Sequence, residues 1–230
     1  MPRRVAEATR ALGAAGLADM IWGHLALRDP EGRGVWMKAA GWAFEEVDES
    51  RVLLVSWEGE VLEGNGKAHI EYPIHTEIMK RWPEVNATVH SHSEDANVFS
   101  SLDIPMPAIS HEGVHFADPQ IPRFRETGDL VSSPELGEKL ADTLGMAPAC
   151  LMPKHGTVTA GADEALAVMY AVTLAKACRL AVAAQAAGGP VVMSDVAEIT
   201  AKKAHALPPS QLRAGYEYLL RQVRRDLSES

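Results

Sequence analysis

Cysteine is scarce in this chain: its 230 residues include two, Cys150 and Cys178, each in an apolar or Ala-rich stretch. One disulfide is formally possible, but buried reduced thiols are the expectation, and no disulfide framework holds the fold. Positive charge is short as well, with 22 Lys and Arg against 31 Asp and Glu, a net charge of −9 and a pI near 5.5. An acidic surface offers no long-range attraction to nucleic acid or an anionic membrane, so neither is expected as a partner. No run of about 18 apolar residues, the length a spanning helix needs, stands out. Met1-Pro2-Arg3-Arg4 leads into an amphipathic stretch rather than an apolar leader core. A mature cytoplasmic protein is therefore expected, and the Asn86-Ala87-Thr88 glycosylation pattern carries no weight. Repeats, low-complexity tracts and linkers are also missing, so residues 1–230 are expected to form a single domain. With 47% apolar and 23% charged residues, composition excludes disorder and leaves ample material for a core.

What is present reads as alternating element types. Val5, Ala8, Leu12 and Ala15 recur at helical spacing before Gly16. Trp22 to Asp29 alternates like a strand, with His24, Ala26 and Arg28 on one face, and Val35 to Lys38 returns as a second strand. Arg51–Trp57 and Glu60–Leu62 around Glu58-Gly59 form a hairpin pattern. Ile74, Ile78 and Trp82 mark a helix that opens at Pro73 and ends before Pro83. Residues 103–124 are proline-rich and irregular yet hold His111, Glu112, His115 and Phe116, the kind of long loop that often carries function. Ser132-Ser133-Pro134-Glu135 opens a helix through Leu136, Leu140 and Leu144. Cys150 to Met152 is a buried strand, and residues 163–187 form a long Ala/Leu/Val helix. Helices over 195–204 and 211 to about 227 complete the chain.

The chemistry centres on Thr88-Val89-His90-Ser91-His92. Strand side chains repeat every two residues, so His90 and His92 share a face and can grip one divalent ion. His155, at the end of the apolar run from Ala149, can supply a third imidazole. Three neutral histidines with an open position describe a catalytic metal site better than a structural one. Taken alone, His-x-His is a weak signal that more often means two ordinary surface or hydrogen-bonded histidines.

In combination these residues resemble the class II aldolase/adducin family over nearly the whole chain. Gly23-His24-Leu25-Ala26-Leu27-Arg28 is similar to the family's Gly-Asn/His-x-Ser-x-Arg strand. Pro83-Glu84-Val85 followed by His90-Ser91-His92 resembles its metal motif. Glu71, nineteen positions before His90, matches its glutamate, and His155-Gly156 its third ligand. The resemblance implies a three-layer α/β/α sandwich around a mostly antiparallel sheet. It also implies one divalent ion per subunit, manganese or zinc, and a homotetramer with active sites at subunit interfaces.

Departures from the family pattern narrow the reaction. The hydroxyl donors of the sugar-phosphate loops are replaced by His24, Ala26, Ala40-Gly41 and His69-Ile70, which leaves a poor phosphate pocket. His24, Arg28 and Lys38, with Gly41 in the second loop, suit a carboxylate instead. The pattern looks most like the branch that decarboxylates hydroxylated aromatic acids such as a dihydroxyphthalate. The resemblance then casts Glu71 as general base with a pKa near the operating pH, and His111 as a proton donor reaching a neighbouring subunit's site. His115 is a candidate pocket residue; Arg213 and Tyr216 on the last helix are candidates to complete a neighbour's site. Each has a plainer reading. Glu71 is favoured at a helix N-terminus by the dipole alone. Arg28 can pair with Asp29 or Glu31, Lys38 can be a solvated strand lysine, and His75 and His205 read as surface or packing histidines. The competing activities are an aldolase for a small sugar acid or sugar phosphate, an epimerase, and a non-catalytic adducin-like interaction module.

Overall fold

A computed structural model describes residues 1–190 and 192–229, with side chains placed through residue 225. Helix α1 (Pro2–Ala14) buries Val5, Ala8 and Leu12 and stops at Gly16, whose φ of 79° suits glycine. Strands β1 (His24–Arg28), β2 (Gly34–Lys38), β3 (Val52–Ser56) and β4 (Val61–Glu63) follow as an antiparallel meander. Then come α2 (Pro73–Arg81), β5 (Ala87–Ser91), α3 (Glu94–Ser101), the short α4 (Val114–Ala117) and α5 (Pro134–Leu144). The hairpin β6 (Ala149–Met152) and β7 (Gly156–Gly161) precedes α6 (Glu164–Ala186), α7 (Val196–His205) and α8 (Pro209–Glu229). Side-chain caps start three of these helices: Ser133 accepts from Leu136 N, Asp163 from Leu166 N and Asp195 from Glu198 N.

The seven strands are ordered β4-β3-β2-β1-β5-β7-β6, and every neighbouring pair is antiparallel. Alternation sorts their side chains into two cores. Leu25, Leu27, Trp36, Leu54 and Val89 pack under α1, α6 and α8. On the other face, Ala26, Val35, Met37 and Leu53 meet Met79 of α2, while Cys150, Met152 and Val158 pack with Ile74, Ile78 and α5. The result is the expected three-layer sandwich. Helix α6 corrects one expectation: by length and composition it is apolar enough to cross a membrane, yet 61% of its most apolar window is buried in the protein. Its hydropathy serves the core. The segment 103–124 is irregular as expected apart from α4, whereas α3 and β7 had no clear periodic signal.

Candidate metal centre

Strands β1 and β5 pair so that His24 lies directly opposite His90. Both belong to the sheet face covered by α2, at the C-terminal end of β5. His92 follows one residue beyond that strand. His155 stands in the β6–β7 turn, where Lys154 takes a φ of +70°, and Glu71 lies just before α2. Two glycines let these pieces close up. A Cβ on Gly23 (φ +73°) would come within 2.9 Å of the Phe44 ring, and one on Gly156 within 2.5 Å of Ser91 O and 2.8 Å of His92 Cδ2. The His-Gly pairing at 155–156 thus follows from close approach of β7 to the end of β5.

One ligand atom from each of Glu71, His90, His92 and His155 falls within a group whose members all lie within 4.8 Å of one another. Hydrogen bonding fixes which atoms face inward. His90 Nδ1 donates to Thr157 O at 2.9 Å and His92 Nδ1 to the Asp19 carboxylate at 3.0 Å. Neither acceptor carries a proton, so each neutral ring presents a bare Nε2. Those two atoms are 3.0 Å apart, a contact of lone pairs that a shared cation resolves. Both nitrogens of His155 are buried and without a hydrogen-bond partner, although its Nε2 lies 3.4 Å from Glu71 Oε1. Glu71 Oε2 is 3.6 Å from His90 Nε2, and Oε1 accepts from Val131 N at 2.8 Å. The donor set therefore fits a divalent ion.

Electrostatics agree. Burial pushes His90 well below the usual histidine range, keeping it neutral. Burial would raise the Glu71 carboxyl, but the His155 and His90 imidazoles and the Val131 amide override it and hold it at about 2. The direction of that pull is away from a base poised near the operating pH and toward the ionised carboxylate.

A second group of polar side chains adjoins the first. His24 Nδ1 is 2.6 Å from His75 Nε2, and His75 Nδ1 is 2.6 Å from Thr88 Oγ1. The His24 ring centroid is 4.4 Å from that of His69 and 5.0 Å from that of His90. Lys38 is fully buried and donates to Ile21 O, Trp42 O and His69 Nε2. Burial lowers its pKa to about 8. It is not the solvated strand lysine, and His75, entirely buried, is not a surface histidine. Asp19, His75 and Thr88 were missed as members of this region, and His69 was placed in the loop before Glu71 without a partner. The only sequence signal was the excess of histidine near Glu71.

Other candidates lie elsewhere. Arg28, on the face of β1 that also carries His24, is drawn to the end of α2, donating to Met79 O, Trp82 O and Val85 O. Its role there is to satisfy helix-end carbonyls. Gly41 is an exposed turn residue (φ +88°) beside Trp42, whose carbonyl receives Lys38. His111 is exposed ahead of α4 and does not join the cluster. His115 Nε2 donates to Leu207 O; it lines a cavity with Tyr170, Ala160 and Gly161, at the opposite end of the sheet from His90. Arg213 pairs with Asp163 at 2.7 Å, at the start of α6. Tyr216 is packed in the core under α1 and α6, and burial raises its pKa. Within one subunit Arg28, His115, Arg213 and Tyr216 are committed to holding the fold, whereas His111 stays exposed.

An antiparallel sheet between helical layers, with a histidine–glutamate cluster at one end fit for a divalent ion, defines a class II aldolase-like enzyme domain. The family described as Class II Aldolase and Adducin N-terminal domain matches residues 3–182, and the chain belongs to it. A 3,4-dihydroxyphthalate decarboxylase from Arthrobacter keyseri is 31% identical over 217 residues, covering 85% of this chain and 84% of that protein. An L-fuculose 1-phosphate aldolase from Glaciozyma antarctica PI12 superposes with a TM-score of 0.85 at 26% identity, over 99% of this chain and 90% of that one. An aldolase II superfamily protein from Pseudomonas syringae shares the fold, with a TM-score of 0.83 at 24% identity over 97% of this chain and 91% of that one.

Proposed function

We propose that this chain is a divalent-metal-dependent carbon–carbon lyase that decarboxylates a hydroxylated aromatic acid of the dihydroxyphthalate type. One observation carries the reading: beside the Glu71, His90, His92 and His155 cluster stands a wall of imidazoles backed by a buried lysine, where a sugar-phosphate pocket would need hydroxyl donors. The 31% identity to a dihydroxyphthalate decarboxylase supports the same substrate class. The likeness to a fuculose-phosphate aldolase favours the second reading, aldol cleavage of a small sugar acid or sugar phosphate. A non-catalytic interaction module is disfavoured because the full ligand set is kept.

A zinc or manganese ion in this site supplies Lewis acidity toward an oxygen of the substrate. The chain's own groups divide the remaining work. Glu71, ionised, takes the proton of the ring hydroxyl as electron density builds there. His24 holds a carboxylate oxygen, and Lys38 acts by charge through His69, because its three N–H bonds are already directed at Ile21 O, Trp42 O and His69. Loss of carbon dioxide leaves an electron pair on the ring carbon, and a proton must be returned to it. His111, exposed here, is the candidate donor from a neighbouring copy. A homotetramer with interfacial sites belongs to the proposal; the exposed apolar side chains of Met20, Ile21, Trp22, Ile70 and Leu130 near Asp19, Glu71 and Val131 support it. So do a single domain over 1–230 and a cytoplasmic setting, which the two free buried cysteines suit.

The test is direct. Purified protein loaded with manganese or zinc is incubated with dihydroxyphthalate-type acids and carbon dioxide is followed. Metal-dependent release is expected; turnover only of aldehyde-releasing substrates would overturn the assignment.

A further inference from the structure

Thr88 of β5 and His24 of β1 share one sheet face, and α2 lays His75 across them. Thr88 and His75 are fully buried and His24 is 2% exposed. The order of donors along this chain of three groups follows from its far end. The Thr88 hydroxyl has one hydrogen-bond partner among the described residues, His75 Nδ1 at 2.6 Å. A buried hydroxyl proton without an acceptor is costly, so Thr88 donates. His75 Nδ1 then accepts, its ring carries the proton on Nε2, and Nε2 donates to His24 Nδ1 at 2.6 Å. His24 in turn carries its proton on Nε2. That atom has no partner among the described residues, yet it is not among the enclosed orphaned atoms as the nitrogens of His155 are. It therefore keeps access to the space beside His90.

We infer that Thr88 and His75 are positioning residues that lock His24 as an Nε2–H donor, so that the wall next to the metal centre recognises an oxygen that only accepts, such as a carboxylate or phenolate. This rests on the proposed function in one respect, that a substrate oxygen reaches His24. On the other flank His69 Nε2 accepts from Lys38 at 3.1 Å and the ring's remaining N–H is engaged by the Ala39 backbone, so that ring turns no bare lone pair toward the site. Through His24 the wall is thus biased toward anions by hydrogen-bond direction, without any ring being charged.

Neutron diffraction from deuterium-exchanged crystals of the metal-loaded protein reads the lock directly. Deuterium is expected on Nε2 of both His75 and His24; deuterium on Nδ1 of His24 overturns the inference. Thr88→Asp replaces the hydroxyl donor with an acceptor. It is expected to move both deuterons to Nδ1 and to weaken binding of salicylate, used as an ortho-hydroxy carboxylate probe, by on the order of tenfold or more. Thr88→Asn, close in shape to Asp but able to donate through its amide, is the rescue and should restore the Nε2–H arrangement and the affinity. An Asp variant that folds and keeps the wild-type deuteron positions refutes the lock. If Thr88→Asp fails to fold, the wild-type and Asn maps decide. If the wild type shows the expected deuterons but binds no salicylate, the lock stands and the carboxylate-substrate reading falls.

Discussion

Six of the nine histidines of this chain form one contiguous group at the end of the sheet, and its two halves obey opposite rules. In the half made of His90, His92 and His155, ring nitrogens without a protein partner converge beside the Glu71 carboxylate. In the half made of His24, His69 and His75, nearly every ring nitrogen is spent on a neighbour: Thr88, Lys38 or another imidazole. Burial is deep in both. Burial of an imidazole therefore does not mark a ligand. What marks it is a lone pair left bare, because a buried unsatisfied nitrogen is costly unless something outside the chain completes it.

The sharpest way to break this contrast is to remove one ring from each half. His155→Ala should weaken metal binding by more than a hundredfold, since even outer partners of a metal ligand are worth ten- to a hundredfold. Carbon dioxide release should fall with it. The metal-free protein should change less in stability than with His75→Ala, because the two orphaned nitrogens that disappear offset the lost packing and the lost contact with Glu71. His75→Ala should do the reverse, destabilising the metal-free fold by about 2–4 kcal/mol through a cavity and a broken hydrogen-bond chain. Chelator competition and urea unfolding of both variants measure the pair of effects. A His155→Ala protein that holds its metal as tightly as the wild type would remove the basis for the first half's role.

Acid should separate the halves next. Burial holds His69 and His75 at about 3 in the folded protein, against about 6.5 when unfolded. Between those values the unfolded chain binds more protons, so stability falls as pH drops from 6.5 toward 3 and is fully present above 6.5. Each ring contributes up to several kcal/mol over that window, comparable with much of the stability of an ordinary domain. Urea midpoints across this range should show the loss, and His69→Gln should flatten the slope by about one proton. An unchanged slope would mean that His69 titrates in the folded state as it does in the unfolded one.

Periodicity told much of this in advance and failed where chemistry crosses between elements. The His90/His92 spacing and the strand before His155 are local patterns that point to a candidate metal site, whereas Glu71 joined them only through the family resemblance. Strand β7 escaped because Gly156 to Gly161 (GTVTAG) has small, weakly alternating residues, chosen for close approach to Ser91 and His92 rather than for bulk. Arg28 shares the sheet face of His24, and that alternation was read correctly. Its guanidinium nevertheless turns to the carbonyls at the end of α2, a partner that no spacing in β1 reveals. Lys38 reads as an exposed strand lysine by composition and is buried only because the 21–22 bend and the Trp42 turn fold over it with their carbonyls.

The smallest expected effect concerns the one contact that ties the bare-nitrogen half to the loop before β1. Asp19 accepts from His92 Nδ1 and so fixes which nitrogen of that ring faces the cluster; the equivalent partner of His90 is a main-chain carbonyl, Thr157 O, beyond the reach of substitution. A carboxylate behind a ligating imidazole both orients the ring and raises its basicity. Asp19→Ala should therefore weaken metal binding roughly ten- to a hundredfold. Asp19→Asn, which keeps an acceptor but loses the charge, should fall between. Because the Asp19 side chain is 36% exposed, the stability of the metal-free protein should scarcely move in either variant. Chelator competition read beside urea unfolding tests this. Wild-type metal affinity in Asp19→Ala would show that the strand backbone alone orients His92, and would leave Thr157 as the partner that matters for this half of the cluster.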